Sequence, residues 1–267
     1  MQTLGQVHGM ALGFDSYDFR ARLQPALFVL FPAFLAVAAA FPVFYSFGTG
    51  LIALVGACGV TFFMAQVVRN RGKAVEDDLY GRGAQKVLPS AAILRLSDTR
   101  LDNMSKARYR AFLESSVPGM KFPETLKQEQ EDATADEKYQ SACRWLLQQT
   151  RDKDRFYLLN KEVTNYGFRR NLYGARTYGL FVASGAVIVS SWMAFLYWNT
   201  SGLNGLFVQS AFATLVATVC LWSWWKMVDR DFVTKGAENY ARELLGCCDQ
   251  LHAKSGAITG TCDLSVR

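Results

Sequence analysis

Two stretches of this chain, residues 25–68 and 178–225, contain no Asp, Glu, Lys or Arg. An α-helix rises 1.5 Å per residue, so about 20 apolar residues cross a bilayer's hydrocarbon core, and each stretch is long enough for two crossings. The first stretch reads as spans over about Ala26–Ser46 and Gly50–Val68, joined only by Phe47, Gly48 and Thr49. So short a link forces an antiparallel hairpin, and Gly48 and Gly50 break any single long helix. The second stretch repeats the pattern, with spans over about Tyr178–Trp198 and Gly205–Trp225 and a Gly/Asn/Ser turn at Asn199–Asn204. Pro32 and Pro42 would break a soluble helix, but neighbouring groups absorb the lost hydrogen bond in a membrane helix. The expected fold is all-α: a four-helix transmembrane bundle of two hairpins with a cytosolic helical domain. A hydrophobic content of 51% would by itself suit a soluble protein, so the uneven distribution is what decides the class.

Orientation follows from the basic residues. Neither hairpin turn holds a Lys or Arg, whereas Arg20, Arg22, Arg69, Arg71, Lys73, Arg169, Arg170, Arg176, Lys226 and Arg230 flank the spans on the other side. The positive-inside rule places that side, with both termini, in the cytoplasm. In a bacterium the corresponding membrane is the inner one. The chain then divides into an interfacial or free N-terminal segment (1–24), hairpin one (25–68), a cytosolic helical domain (69–176), hairpin two (177–225) and a C-terminal amphipathic helix with tail (226–267).

The net charge of +6 does not point to nucleic acid. Segment 69–176 carries 21 Lys+Arg against 15 Asp+Glu, a mixed surface, and the excess near the spans is a topology signal. Of the six cysteines, Cys58 and Cys220 lie in spans, Cys143 in an expected helix, Cys247 and Cys248 side by side, and Cys262 in the tail. Reduced thiols are expected. Within the cytosolic segments, residues 69–88 extend the second span and turn at Gly81 and Gly83. Ser97 or Asp98 is placed to cap a helix that ends at Pro118-Gly119. A second helix is expected from Ala135 to Glu162, and residues 226–251 form the C-terminal helix.

Little here suggests catalysis. The only histidines are His8 and His252, near the termini, and no phosphate-binding loop of the GxxxxGK[ST] kind occurs. Glu76-Asp77-Asp78 reads as a solvated helix face. No enzyme activity, cofactor or metal is expected. Inside the spans the small residues Ala186, Ser190 and Ala194, and the hydroxyls Ser210, Thr214 and Thr218, recur every four residues. Together with Gln66 and Gln209 they are either helix-packing glue or the polar lining of a pore built from several copies. No ionised residue lies deep in a span, which disfavours ion-coupled transport.

The most pointed local feature is Tyr166-Gly-Phe-Arg-Arg-Asn171, just before the third span. Arg169 and Arg170 have two readings: contact with anionic lipid headgroups, or a clamp onto the carboxylates of Asp98 or Asp102 that couples the soluble domain to the membrane.

Between Glu76 and Asn171 the chain resembles an uncharacterised bacterial four-span membrane-protein family. The likeness rests on Asp98-Thr-Arg-Leu-Asp102, Lys106-Ala-Arg-Tyr109, Pro123-Glu-Thr, Ala135-Asp136, Trp145-Leu146, Thr150-Arg-Asp152 and the Tyr166–Asn171 string. The layout also resembles the membrane effectors of bacterial anti-phage systems, which disrupt the membrane when a cytosolic sensor fires. That resemblance implies a homo-oligomeric, channel-like effector of phage defence whose partners are the bilayer and, on the alternative reading of a membrane anchor, a soluble cytosolic protein.

Overall fold

The computed structural model describes residues 16–262 apart from 42, 44, 45, 84 and 85. Among them the chain is helical, with no strand. A π-helical turn, Phe19–Leu23, leads into α1 (Gln24–Ala40); α2 follows at Phe47–Tyr80. Short α3 (Pro89–Leu94), α4 (Asn103–Ser116), α5 (Leu126–Glu131) and α6 (Ala135–Gln149) come next. The last four are α7 (Tyr157–Gly174), α8 (Arg176–Ser201), α9 (Gly205–Lys226) and α10 (Arg230–Cys262). Among the described residues four helices are long and apolar enough to cross a membrane: Phe19–Ala40, Gly48–Tyr80, Arg176–Ser201 and Gly205–Lys226.

The first span ends at Ala40, earlier than its apolar composition suggests. The residue before a proline is pushed out of the helical region, and Phe41, ahead of Pro42, adopts φ −125° and ψ 83°. The expected link 47–49 is instead the first turn of α2, and Pro32 is accommodated inside α1. At the other hairpin Gly202, at φ 63°, ends α8, and Asn204 starts α9 by accepting from the Phe207 N–H at 2.7 Å.

The chain folds as two units: residues 1–76 with 164–233, and residues 77–163 with 234–267. In the first, α1, α8 and α9 pack through small side chains. Ala36, Ala186 and Ala217 form one shared contact, and Ala26, Val29, Ala183 and Trp224 belong to a second with Ala65 and Val68 of α2. Small residues let membrane helices approach closely. Gly179 shows how close: a Cβ there would lie 2.3 Å from the Trp224 ring. The other half of α2 differs, since no residue from 48 to 60 is buried.

The second unit has its own core, in which Leu94, Leu113, Tyr139, Leu146, Leu244 and Leu245 are essentially inaccessible or nearly so. Arg108 ties α4 to α10 through Asp249 at 2.8 Å. Three local expectations change. The cap of α4 is Asp102, which accepts from the Ser105 N–H at 2.8 Å, rather than Ser97 or Asp98. The helix expected over Ala135–Glu162 is broken after Gln149. There Asp152 accepts from the N–H groups of Asp154 and Arg155, both at 3.1 Å, making a turn that competes with helix. The C-terminal helix starts at Arg230, capped by Asp229 on the Phe232 N–H at 2.7 Å, and extends to Cys262.

Candidate functional site

The Tyr166–Asn171 string lies on α7, inside the unit that contains the apolar helices, and successive side chains meet different segments. Gly167 is the crossing point of the N-terminal lead-in: a Cβ there would come within 2.8 Å of the Tyr17 hydroxyl and 3.2 Å of the Ala21 Cβ. Phe168 meets Phe28 of α1 edge-on, with ring centroids 6.2 Å apart. Arg169 lies 4.7 Å over the ring of Phe232 at the start of α10 and donates to its carbonyl at 3.2 Å. Arg170 donates to the Glu76 carboxylate on α2 and covers the Tyr166 ring one turn back. Asn171, fully buried, donates its amide to the Ala21 carbonyl at 2.6 Å. Its Oδ1 stands where a Cβ on Gly72 would be, 1.9 Å away, and Gly174 meets the Arg71–Gly72 backbone at 2.7 Å in the same sense. Glycine is required at 72 and 174 because helix backbones touch there.

This hub gathers one end of α1's lead-in, α2, α7 and α10. The chain passes between its two units three times, each time within a helix: α2, α7 and α10. The hub therefore joins those three helices at their ends in the first unit.

Within the first unit the carboxylate that Arg170 meets is Glu76, whereas the expected partners Asp98 and Asp102 belong to the second unit. Those two acids have their own work in the second unit. Asp98 accepts from Arg100 through Nε at 2.9 Å and the backbone N–H at 2.8 Å. Partial burial opposes ionisation of Asp98, but the Arg100 hydrogen bonds and charge prevail and lower its pKa. Its carbonyl receives the buried Lys106 ammonium. Asp102 is the α4 cap. The signal that could have located the hub was glycine inside a helix-forming, charged stretch, at 72, because a helix tolerates the cost of Gly where another backbone must approach.

The hydroxyls of the stripe bond one another and the helix backbone. Thr214 of α9 donates to the Ser190 hydroxyl of α8 at 3.0 Å, and each also bonds a carbonyl four residues back. Thr218 bonds the Thr214 carbonyl at 2.8 Å and is exposed. Ser210 is fully buried, and its hydroxyl has no hydrogen-bond partner among the described residues. Gln209 is half-buried. Gln66 is exposed on α2, beside a depression it shares with Asp18, Arg22 and Phe63.

Cys143, Cys247 and Cys248 are buried free thiols in the second unit. Desolvation pushes Cys143 and Cys247 up to about 12, which leaves them protonated and unreactive. Among the described residues no group of three or more His, Cys, Asp or Glu is disposed to hold a metal ion. Comparison with protein-family models, curated proteins and solved structures finds no match to the chain.

Proposed function

We propose that this is a non-enzymatic bacterial inner-membrane effector. It acts as a homo-oligomer and is switched through its cytosolic helical unit, in the manner of the anti-phage effectors it resembles. The observation that carries the reading is the hub. Arg170–Glu76 and Arg169–Phe232 fasten together the three helices by which the chain leaves its membrane-spanning unit. A shift of α2 or α10 relative to α7 must break or remake those contacts, so the hub supplies a place where a cytosolic event reaches the spans.

Self-association is supported by the outer half of α2. Glycines at 48, 56 and 59 leave open space where a Cβ would stand. Glycine weakens a helix by roughly 0.5–1 kcal/mol relative to alanine. Its use on an unburied helical surface fits close approach of another helix in the membrane. With Thr214 and Ser190 closed on one another, a membrane lesion would come from association of copies rather than from a pore through one bundle.

The experiment is to overexpress the chain in bacteria and follow membrane potential with a voltage-sensitive dye. Depolarisation by the wild type, reduced in Arg170→Ala despite equal membrane insertion, is the expected result. An unchanged potential would sink the effector reading.

A membrane anchor is the second reading. It is favoured by a groove of about 510 Å³ on α6 between Glu137, Gln140, Ser141, Arg144, Trp145 and Gln148, a face fit for a soluble partner. Its signature is relocation of a soluble protein with the potential intact.

A further inference from the structure

We infer that the seam between the charged ends of α8 and α9 binds the phosphate of an anionic phospholipid, held by Arg176 and Lys226 around Trp225. Both cations converge on that one residue. Arg176, the first residue of α8, donates through Nη2 to the Trp225 carbonyl at 3.0 Å. Lys226, the last residue of α9, sets its Nζ 4.7 Å from the centroid of the Trp225 ring. Neither cation makes an ion pair with a described carboxylate, in contrast to Arg170 with Glu76 or Arg22 with Asp18. The Nε of Arg176 is buried and has no hydrogen-bond partner among the described residues.

The seam is closed on its apolar side, where Gly179 admits the Trp224 ring against the α8 backbone. At the charged end it is open, because Trp225 is 61% exposed. The guanidinium charge, anchored by the Trp225 carbonyl, and the mobile ammonium together attract a phosphate at the open end. A second cation–aromatic pair flanks the same turn of α8: Arg71 donates to the Tyr178 hydroxyl at 3.1 Å and 2.8 Å.

The source of the phosphate follows from position. Arg176 and Lys226 are the terminal residues of two helices long enough to span, so in a bilayer they sit at headgroup depth. Tryptophan favours the same depth, with its ring toward the acyl boundary and its N–H toward water. The inference rests on the membrane-spanning reading but not on the effector reading.

The test uses the full chain in mild detergent, supplied with phosphatidylglycerol or phosphatidylcholine and weighed by native mass spectrometry. The wild type retains phosphatidylglycerol in preference to phosphatidylcholine. Lys226→Gln, a change at an exposed side chain, lowers that retention about fivefold, and adding Arg176→Gln lowers it about fivefold again. Arg22→Gln, whose native partner is Asp18, leaves it unchanged. Equal retention of the two lipids by the wild type, or full retention by Lys226→Gln, overturns the assignment. Displacement of phosphatidylglycerol by an equal concentration of inorganic phosphate overturns it in favour of a soluble anion. Retention of both lipids alike would leave the spanning fold standing while removing the site.

Discussion

Arg170 donates to the carboxylate of Glu76 across 94 residues of sequence, and the two side chains are only 14% and 20% exposed. An ion pair so shielded differs from a surface pair, because removing one partner leaves the other charge poorly solvated. Its neighbour Arg169 has no carboxylate partner among the described residues and works instead through the Phe232 ring and carbonyl.

Glu76→Gln should therefore lower the stability of the first unit by about 1–3 kcal/mol, the range for leaving a shielded charge without its counter-charge. The melting temperature in detergent reports it, and exchanging the pair, Arg170→Glu with Glu76→Arg, should restore part of the loss. A Glu76→Gln protein that melts with the wild type would reduce the pair to a topology signal.

The span hydroxyls should separate by their partners. Ser190→Ala removes the acceptor of Thr214 and should cost roughly 0.6–1.7 kcal/mol, as measured for hydrogen bonds between membrane helices. Ser210→Ala removes a buried hydroxyl that bonds nothing among the described residues and should be neutral or stabilising. Thr214→Leu crowds the α8–α9 contact and should destabilise. If instead Ser190→Ala melts normally and alters ion permeability in vesicles, the stripe lines a pore.

Topology is testable with reporters. A fusion at the C-terminus or an insertion near Glu131 should report cytoplasm, and an insertion in the Asn199–Asn204 turn should report the outside. An exported second unit would overturn the orientation and with it any cytosolic switch.

Acid should act on the second unit through Asp132, whose pKa is lowered from 3.8 to about 2 by hydrogen bonds from Lys138 first and Thr134 second. A folded-state pKa below the unfolded value means the contribution is complete above about pH 4 and is lost as pH falls through about 2. Amide protection in the first turn of α6, taken relative to the unfolded chain's own exchange at each pH, should therefore fall over that window. In Asp132→Asn the same turn should already be less protected at neutral pH. Protection in the wild type that stays constant across that window would rule out the linkage.

The spans were legible because they depend on composition alone: a stretch free of charge and longer than the bilayer is thick has few other fates. The extension of α2 past Val68 and its stop at Gly81 were legible too, from helix formers followed by two glycines that take φ 84° and 59°. Asp152 hid the break in the helix expected over Ala135–Glu162, since an Asp among Lys and Arg looks like ordinary helix surface until its carboxylate turns back on its own backbone. The Tyr166–Asn171 string stood out as a motif, yet its partners did not. Nothing local distinguishes Glu76 from Asp98 as the acid for Arg170; the choice is made by the crossing of α2 and α7 at Gly72 and Gly174. The reach of Asn171 to the Ala21 carbonyl is likewise a product of tertiary packing.

The hub also imposes an order on biogenesis. Ala21, Gly72 and Glu76 emerge from the ribosome with the first hairpin, while their counterparts Asn171 and Arg170 come 94 residues after Glu76 in the case of the ion pair. At about 5–20 residues per second that interval is roughly 5–20 s. The first hairpin must therefore reside in the membrane for that time without the contacts that later fasten it, and a chain released before Asn171 carries a hairpin that can never be locked.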